Sequence, residues 1–526
     1  MYHLQEEKMR KFICAAGLFV LCIGFLFAQE QKTEEISLTL RECLEIALEK
    51  NLDISVEAFN PEIQEFSVRR SKEFLLPQLS FNYNNYRDNQ LSNWYVEGTQ
   101  FTTKTNIYGV SIRQNIITGG NFSLSLSNMI RDTTRSLVII NPTYSGTLSF
   151  DLNQPLLKNF GPKITRKDIT KTRNQRDISL YGLKTTVLQK IYDVEAAYWN
   201  LVSAVESLKV NEASLENSIQ YLKRIQGAAR IGAKTATDVL DAETEVANYE
   251  SMIITARGQV QKAEDSLRKI LNLSVDEAGS LPRIVPTDRP TVEKKEITFE
   301  EAMEMALTER PEMASKQKEL DNSNIDVGYF KNQLLPEVNL RFQLYYPGQS
   351  GDRVLYLNDD PYTGVRIGLE KGDRSEYWND IFGLKYDNWR ISLDFTLPLE
   401  NIFSRASLAQ ARVQKEQKLL EKERLENNIY YELVEAFKDL ENNEKALEAA
   451  ARYRELAEKR LLAGEERYKL GTLSSQWLFE YRSRMASARV SEIRAIINYK
   501  LSVAKLEQLM GVNIRTKNLK FRDFDF

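Results

Sequence analysis

The chain has 526 residues, of which 28% are charged and 10% are aromatic, so it is long enough for several compact domains. Its 71 basic and 74 acidic residues nearly balance, which argues against a nucleic-acid-binding protein, because such proteins carry a strong excess of basic residues. The single histidine is His3, so the rest of the chain offers no imidazole for base catalysis or metal binding.

Residues 1–28 are predicted to be a signal peptide. Arg10 and Lys11 precede a continuous apolar run, 12–27, and Ala28 stands immediately before a polar stretch. A basic start, an apolar centre and a small residue before the cleavage point are typical of export signals.

Two features leave alternatives to cleavage open. Leu26 is large where a small residue is usual, which would suit an uncleaved membrane anchor. Lipid attachment at Cys22 is a further possibility, although the expected small residue before an acylated cysteine is missing. After cleavage Cys43 would be the only cysteine, which allows no disulfide bond within the mature chain.

The first helix of the mature chain is predicted to begin at Leu40, with Thr39 as its N-cap and Glu42 completing a capping box. A closely similar stretch recurs 259 residues later, at 297–307. Both helices are expected to continue to a Leu-Leu-Pro sequence, again 259 residues apart, where proline ends them. The constant spacing predicts an internal duplication.

Apolar and polar residues alternate after each of these prolines, which is typical of strands. Strands are expected within 78–154 in the first half and within 337–398 in the second. The first half has sixteen more residues between its prolines. We expect this extra length to hold a further hairpin, 108–126, around the turn at Gly119 and Gly120.

Two long helical hairpins are predicted, at 166–272 and 404–510. Each is interrupted once, at Gly232 and at Gly471. The arm 166–230 would be about 100 Å long at 1.5 Å per residue. A helix of that length exceeds what a globular core requires and favours an extended architecture.

Apolar residues follow alternating steps of three and four along both hairpins, with polar Glu212 and Gln226 at the gaps of the first, which predicts coiled-coil seams. The first seam comprises Val187, Ile191, Val194, Tyr198, Leu201, Val205, Leu208, Leu215, Ile219, Leu222 and Ala229. The second comprises Ile429, Leu433, Ala436, Leu440, Leu447, Ala450, Ala457 and Leu461. Leu420, Leu425 and Tyr430 lie outside the second seam and are candidates for contact with a neighbouring copy.

These patterns divide the mature chain into two structural repeats, 29–273 and 297–512. A connector, 274–296, contains three prolines, and a short tail, 513–526, follows the second repeat.

After the predicted leader, no apolar run is long enough for a membrane-spanning helix, so any membrane part must consist of strands. Alternating strands fit a barrel with lipid outside and water inside, although a soluble sheet with one wet face would show the same alternation. Four to six strands cannot enclose a water-filled barrel. The membrane interpretation therefore requires several copies to share one barrel.

The Leu-Thr-Leu start of the first helix, the Leu-Leu-Pro turns, the sequence Gln154-Pro155-Leu156-Leu157 and the paired glycine breaks resemble TolC-like outer membrane efflux proteins, the outer membrane factors. The resemblance covers essentially the whole mature chain. It implies an α+β membrane protein in which a trimeric outer-membrane β-barrel continues into a long antiparallel α-helical coiled-coil tunnel, built from an internal duplication. The family's usual four strands per protomer would be exceeded if 108–126 enters the barrel.

The resemblance also implies a function: the passive outer-membrane channel of a tripartite efflux or type I secretion system. It places the barrel in outer-membrane lipid and the helices in the periplasm. The expected partners of the homotrimer are a periplasmic adaptor (membrane fusion) protein and an inner-membrane pump or ABC secretion transporter, with no nucleic acid. No catalytic residue, cofactor or metal is expected, and the cargo stays open.

Two other functions are weighed against the channel. A coiled-coil structural or adhesive cell-envelope protein would not require both halves to repeat strands and a hairpin. A secreted carboxylate-dependent hydrolase would use pairs such as Glu300 and Glu301, which are more simply explained as solvated helix surface.

Where the hairpins break, the resemblance implies a periplasmic gate. Thr237 and Asp238 match the family's Thr-Asp pair, and Tyr468 matches its gate tyrosine. We therefore expect a hydrogen bond from the Tyr468 hydroxyl to the Asp238 carboxylate. The sequence departs from the family at Leu473, which replaces an arginine, and an acidic constriction is only partly supported, by Glu480.

Each gate residue also has a purely structural interpretation. Asp238 could cap the returning helix, Tyr468 could fill the seam, and Gly232 and Gly471 could be ordinary turn residues.

Overall fold

A computed structural model describes residues 35–91, 100–135, 137–273, 283–292 and 294–520. The predicted signal peptide lies outside the described residues, as do parts of the predicted connector and tail.

The helices and strands follow one another in the same general order in both halves of the chain. The strands are β1 (Glu35–Leu38), β2 (Gln78–Leu91), β3 (Gln100–Asn115), β4 (Asn121–Thr133), β5 (Ile140–Pro155), β6 (Arg283–Pro286), β7 (Glu337–Tyr356), β8 (Arg366–Glu370) and β9 (Asn388–Thr396). The α-helices are α1 (Leu40–Lys50), α2 (Leu52–Lys72), α3 (Pro162–Thr165), α4 (Lys167–Arg230), α5 (Ala236–Leu271), α6 (Phe299–Glu309), α7 (Pro311–Asn332), α8 (Glu376–Phe382), α9 (Ile402–Lys469), α10 (Ser475–Leu509) and α11 (Asn513–Thr516). Short 3₁₀ helices lie at Glu73–Leu75, Leu357–Asp359 and Pro361–Thr363.

The chain forms two compact units, and each takes segments from both halves of the sequence. As far as these ranges are described, one comprises Met1–Ser55, Val187–Ala306 and Tyr431–Phe526, and the other comprises Val56–Thr186 and Leu307–Tyr430. The two sequence halves are therefore not separate compact units.

The capping box at the start of α1 is confirmed. The Thr39 side chain accepts a hydrogen bond from the Glu42 backbone N–H, and the Glu42 carboxylate accepts one from the Thr39 backbone N–H. This exchange satisfies two backbone donors that the first turn of a helix leaves free.

The prediction that each leading helix runs unbroken to its Leu-Leu-Pro sequence is wrong. The first helix breaks at Asn51, whose backbone is extended and whose side chain accepts hydrogen bonds from the N–H groups of Asp53 and Ile54. The second breaks at Arg310, because Pro311 disfavours the helical conformation in the residue before it. Each leading segment is thus two helices.

The long helices α4 and α9 are continuous over 64 and 68 residues. The predicted seam of α4 is fully buried from Val187 to Leu201. Nearer the end of α4, the buried residues are Ser218, Tyr221 and Ile225, whereas the predicted Ile219 and Leu222 are only partly buried. Tyr221 and Ile225 pack with Ala242 of α5 and with Leu478 and Phe479 of α10. Among the described residues, no helix combines the length and hydrophobicity needed to cross a membrane.

One unit contains a sheet in which β2, β3, β4, β5 and β7 pair in that order, and both β8 and β9 pair with β7. The predicted extra hairpin is confirmed: β3 and β4 are antiparallel partners joined through the turn at Gly119. Gly119 has a φ of +97°, and a Cβ there would lie 2.1 Å from the Asn159 carbonyl oxygen, so the turn requires glycine. The strand β5 pairs with β7 across the two sequence halves.

This sheet has two chemically distinct faces. Successive side chains of a strand point to opposite faces, and residues paired across neighbouring strands point to the same face. One face is apolar and includes Leu79, Phe81, Val110, Ile112, Leu124, Leu126, Leu148, Phe150, Leu340, Phe342, Ile391 and Leu393. The opposite face carries hydroxyl, amide and charged groups, including Ser80, Asn82, Ser111, Ser125, Ser149, Asp151, Arg341, Gln343, Ser392 and Asp394.

Candidate functional site

The candidate site lies where the two helical hairpins turn. Both turns have the same backbone hydrogen bonds: Gly232 N–H to Ala229 and Ala233 N–H to Ala228 in the first, and the equivalent pair at Gly471 and Thr472 in the second. This is the Schellman motif, which needs a left-handed residue after the helix.

Gly232 and Gly471 supply that residue, with φ values of +75° and +71°. A Cβ at either position would meet no atom within 4 Å. Backbone conformation, and not close packing, is therefore the reason for glycine at both turns.

After the first turn, Thr235 and Asp238 form a capping box that begins α5. The Asp238 carboxylate accepts hydrogen bonds from the Thr235 backbone N–H and hydroxyl, and from the Ser475 hydroxyl at 2.7 Å. These bonds, the one from Ser475 first, lower the pKa of Asp238 to about 2. The structural interpretation of Asp238 is confirmed, and its carboxylate also joins the first hairpin to the second.

The predicted hydrogen bond between Tyr468 and Asp238 is wrong. The Tyr468 hydroxyl instead accepts a hydrogen bond of 2.6 Å from the Tyr221 hydroxyl, because Tyr221 reaches Tyr468 from α4. The Lys234 ammonium lies 5.1 Å from the centre of the Tyr468 ring and 3.9 Å from the Asp238 carboxylate. Tyr468 and Asp238 thus share a neighbourhood without sharing a hydrogen bond.

Tyr221 is the centre of this neighbourhood, and the sequence analysis missed it. Burial raises the pKa of its phenol, and the hydrogen bond with Tyr468 acts in the same direction. Two hydrogen bonds therefore lie close together here, from the Tyr221 hydroxyl to Tyr468 and from the Ser475 hydroxyl to Asp238. The only signal for Tyr221 in the sequence is its place one residue before the predicted seam.

An apolar cluster surrounds the Tyr221 side chain. Tyr221 packs with Ile225, Ala242, Leu478 and Phe479, which are all buried. The Phe479 ring meets the Tyr221 ring edge to face, with centroids 5.0 Å apart, an arrangement that aromatic pairs favour.

Arg482 is a second residue that the sequence analysis missed. Its guanidinium lies 5.2 Å from the centre of the Tyr221 ring and donates to Glu465 on α9 at 3.0 Å. Nearby, burial raises the pKa of Glu245, while the charge of Arg482 opposes the rise. The ion pair of Arg482 with Glu465 therefore lies beside the Tyr221 ring.

The other predicted residues stay outside this network. Thr237 is exposed in the first turn of α5, and Glu480 pairs with Arg484 at 2.6 Å one helical turn away on α10. Leu473, where the family carries an arginine, packs against the apolar cluster. Within the described ranges, no group of three or more histidine, cysteine, aspartate and glutamate side chains could hold a metal ion.

Comparisons with known proteins identify the fold. The CusC channel shares 15% of its residues with this chain, with a TM-score of 0.61 over 92% of this chain and 96% of CusC. The Campylobacter jejuni CmeC outer membrane channel shares 16%, with a TM-score of 0.60 over 92% and 87%. The Neisseria gonorrhoeae MtrE outer membrane channel, solved in its open state, shares 17%, with a TM-score of 0.59 over 90% and 88%.

A search of the curated proteins finds no match. The sequence profile of the outer membrane efflux protein family, in contrast, matches residues 122–273 and 302–512, together well over half of the chain. The resemblance drawn from the sequence is thereby confirmed. The chain belongs to the outer membrane efflux protein family and is a protein of the outer membrane.

Proposed function

We propose that the protein is the outer-membrane channel of a tripartite efflux or type I secretion system and works as a homotrimer. In this proposal, three copies of the sheet close one barrel, and the helical hairpins line a tunnel across the periplasm. The conduit is passive. Its direction comes from an inner-membrane pump or ABC transporter, which a periplasmic adaptor joins to the hairpin ends.

The observation that carries the proposal is the two-faced sheet. A membrane barrel needs apolar side chains toward lipid and polar side chains toward its water-filled interior, and the strands alternate in this way. Within the described residues, β2 forms one edge of the sheet and β8 with β9 form the other. Exposed edges invite uncontrolled pairing, and closure with two further copies would remove them.

Electron microscopy of the detergent-extracted protein tests the proposal. We expect particles with threefold symmetry and a hollow stalk about 100 Å long, as the helix rise of 1.5 Å per residue predicts. Solid rods would instead favour a structural envelope protein, and compact monomers would favour a secreted enzyme; either result would end the channel interpretation.

We further propose that the hairpin ends form the gate of this channel. The bond between Ser475 and Asp238 and the bond between Tyr221 and Tyr468 each link the first hairpin to the second. Outward movement of either hairpin would break both. A hydrogen bond to a charged group contributes about 1.5–3 kcal/mol, so its loss would raise the open population about tenfold or more.

Single-channel recording in planar bilayers tests the gate with a matched control. The double variant Asp238→Ala with Tyr468→Phe removes both links, and we expect a clear rise in mean conductance. Thr237→Ala changes an exposed residue of the same turn and leaves both links intact, so it should leave conductance unchanged. Equal conductance of wild type and the double variant would refute the gate.

A further inference from the structure

The segment between β8 and β9 leaves the sheet. Both strands pair with the same edge of β7, β8 at residues 353–356 and β9 at residues 337–345. Between them, residues 371–387 pass over the face of the sheet, and the seven-residue helix α8 lies against β5 and β7.

A pair of glycines lets the helix approach the sheet. Gly146 on β5 and Gly348 on β7 are direct cross-strand partners. A Cβ on Gly348 would lie 2.2 Å from the Tyr377 carbonyl oxygen, and a Cβ on Gly146 would lie 2.7 Å from the Ile381 side chain. Glycine within a strand often marks such a close approach of another segment.

The helix lies on the apolar face of the sheet. Tyr377 and Ile381 are buried with Tyr144, and this cluster also packs against Leu126 and Leu148. Leu126 and Leu148 belong to the face that meets lipid in the proposed barrel. The helix is therefore outside the barrel wall and not in its interior.

Part of the surface of α8 that the sheet does not cover is aromatic, while Glu376 and Asn379 are also exposed. The rings of Trp378 and Phe382 stack with centroids 5.6 Å apart, and Phe382 is 62% exposed. Exposed Leu384, Tyr386 and Trp389 extend this apolar flank to the start of β9. An aromatic surface of this kind is typical of side chains at the boundary of a bilayer, where lipid headgroups meet acyl chains.

The position of α8 along the strands matches that boundary. Gly348 lies eleven residues beyond Glu337, where β7 leaves the helical part of the chain. At about 3.3 Å per residue and a strand tilt of about 40°, this separation spans about 28 Å along a barrel axis, close to the apolar band of about 25 Å in outer-membrane barrels. The apolar alternation of β7 also ends here, since Tyr346 is followed on the same face by Gly348 and Ser350.

We propose that α8 is an interfacial helix that binds the acyl–headgroup boundary of the outer leaflet. The proposal rests on the barrel of the proposed function. Its occupant is the lipid surface itself, because the uncovered flank of α8 is continuous with the lipid-facing side chains of β9. The helix fixes the depth at which the barrel sits in the membrane.

Depth-dependent fluorescence quenching tests the proposal in the full-length protein. Phe382→Cys, labelled with a polarity-sensitive fluorophore, is reconstituted in phosphocholine vesicles that carry a nitroxide high or low on the acyl chain. Ile391→Cys and Ser392→Cys are neighbours on opposite faces of β9 and supply the lipid and water references. Wild type treated with the label gives the background, and buried Cys43 should not react.

We expect the shallow nitroxide to quench the label at residue 382 about twofold more than the deep nitroxide, since interfacial helices sit about 5–10 Å into the boundary. Iodide in the water should quench it less than at residue 392. If the label at residue 382 is quenched by iodide as strongly as the label at residue 392, while the lipid nitroxides quench the label at residue 391, then α8 lies in water. The inference about α8 then fails, and the proposed function is unaffected. If residue 391 also behaves as aqueous, the barrel orientation and the proposed function fail with it.

A deep position equal to that of residue 391 would equally overturn the interfacial placement. Leu384→Cys, which is exposed on the same segment, repeats the test if Phe382→Cys does not assemble. Gly348→Ala should push α8 off the sheet and raise iodide quenching at residue 382. Gly368→Ala is the matched control, because a Cβ there meets its nearest atom at 3.5 Å.

Discussion

At the residue scale, the first turn of α5 depends on one hydroxyl. Thr235 accepts the hydrogen bond of the Asp238 N–H, and Thr237, two residues away, is exposed. Thr235→Ala should cost about 1 kcal/mol of local stability, which corresponds to amide hydrogen exchange about fivefold faster in this turn. Thr237→Ala should leave the exchange rates of residues 235–239 unchanged, and equal rates in the two variants would contradict the role of the cap.

The lowered pKa of Asp238 predicts how the gate responds to pH. Because the folded pKa is about 2, the carboxylate stabilises the turn fully above its ordinary pKa of about 4 and loses this effect only as the pH falls through about 2. The conductance ratio of wild type to Asp238→Asn should therefore stay constant between pH 8 and pH 5. A ratio that changes within this range, measured in planar bilayers, would show that another group titrates at the gate.

At the scale of elements, α2 carries an apolar stripe that its own chain leaves exposed. The stripe consists of Leu52, Val56, Phe59, Ile63 and Phe66, each between 56% and 66% exposed, at steps of four and three. This spacing is that of a helical seam. Because burying such a side chain contributes about 1.5–3 kcal/mol, the stripe is a strong candidate for contact with a second copy.

Substitution on this stripe should weaken the proposed trimer. Phe59→Glu places a carboxylate in the proposed contact, and we expect monomers to appear in size-exclusion chromatography with light scattering in detergent. Glu62→Ala alters an exposed polar neighbour on the same helix and should leave the assembly intact. An unchanged trimer in Phe59→Glu would place the contact elsewhere.

At the scale of the whole molecule, the two faces of the sheet should respond oppositely to the same charge. Ile391→Lys introduces an ammonium on the apolar face opposite Phe342, near the middle of the apolar band, and should cost about 2–4 kcal/mol. The adjacent Ser392→Lys points to the polar face and should change ion selectivity while the protein still folds. Urea titration in vesicles measures the first effect and bilayer recording the second; equal stability of the variants would argue against a lipid-facing surface.

Local features of the chain could be predicted because they depend on neighbours in sequence. Side-chain alternation revealed the strands and the extra hairpin, and the capping box at Thr39 followed from residues three apart. The glycine turns were also predictable, since a left-handed residue after a helix favours glycine wherever the helix packs. The prediction of unbroken leading helices was wrong at Asn51 and at Pro311. The break at Arg310 was predictable, because proline disfavours the helical conformation in the residue before it.

The contacts at the hairpin turns and the position of α8 on the sheet required the tertiary structure. Tyr221 and Tyr468 are 247 residues apart, and which hydroxyl reaches which partner depends on the rotation of two packed helices. Likewise, Gly146 and Gly348 become one platform for α8 only through the pairing of β5 with β7. The sequence by itself determined the periodicities, turns and caps of this protein, because these arise from local backbone and side-chain geometry. Only the tertiary structure decided which distant residues meet, because packing selects one set of contacts from the many that such periodicities allow.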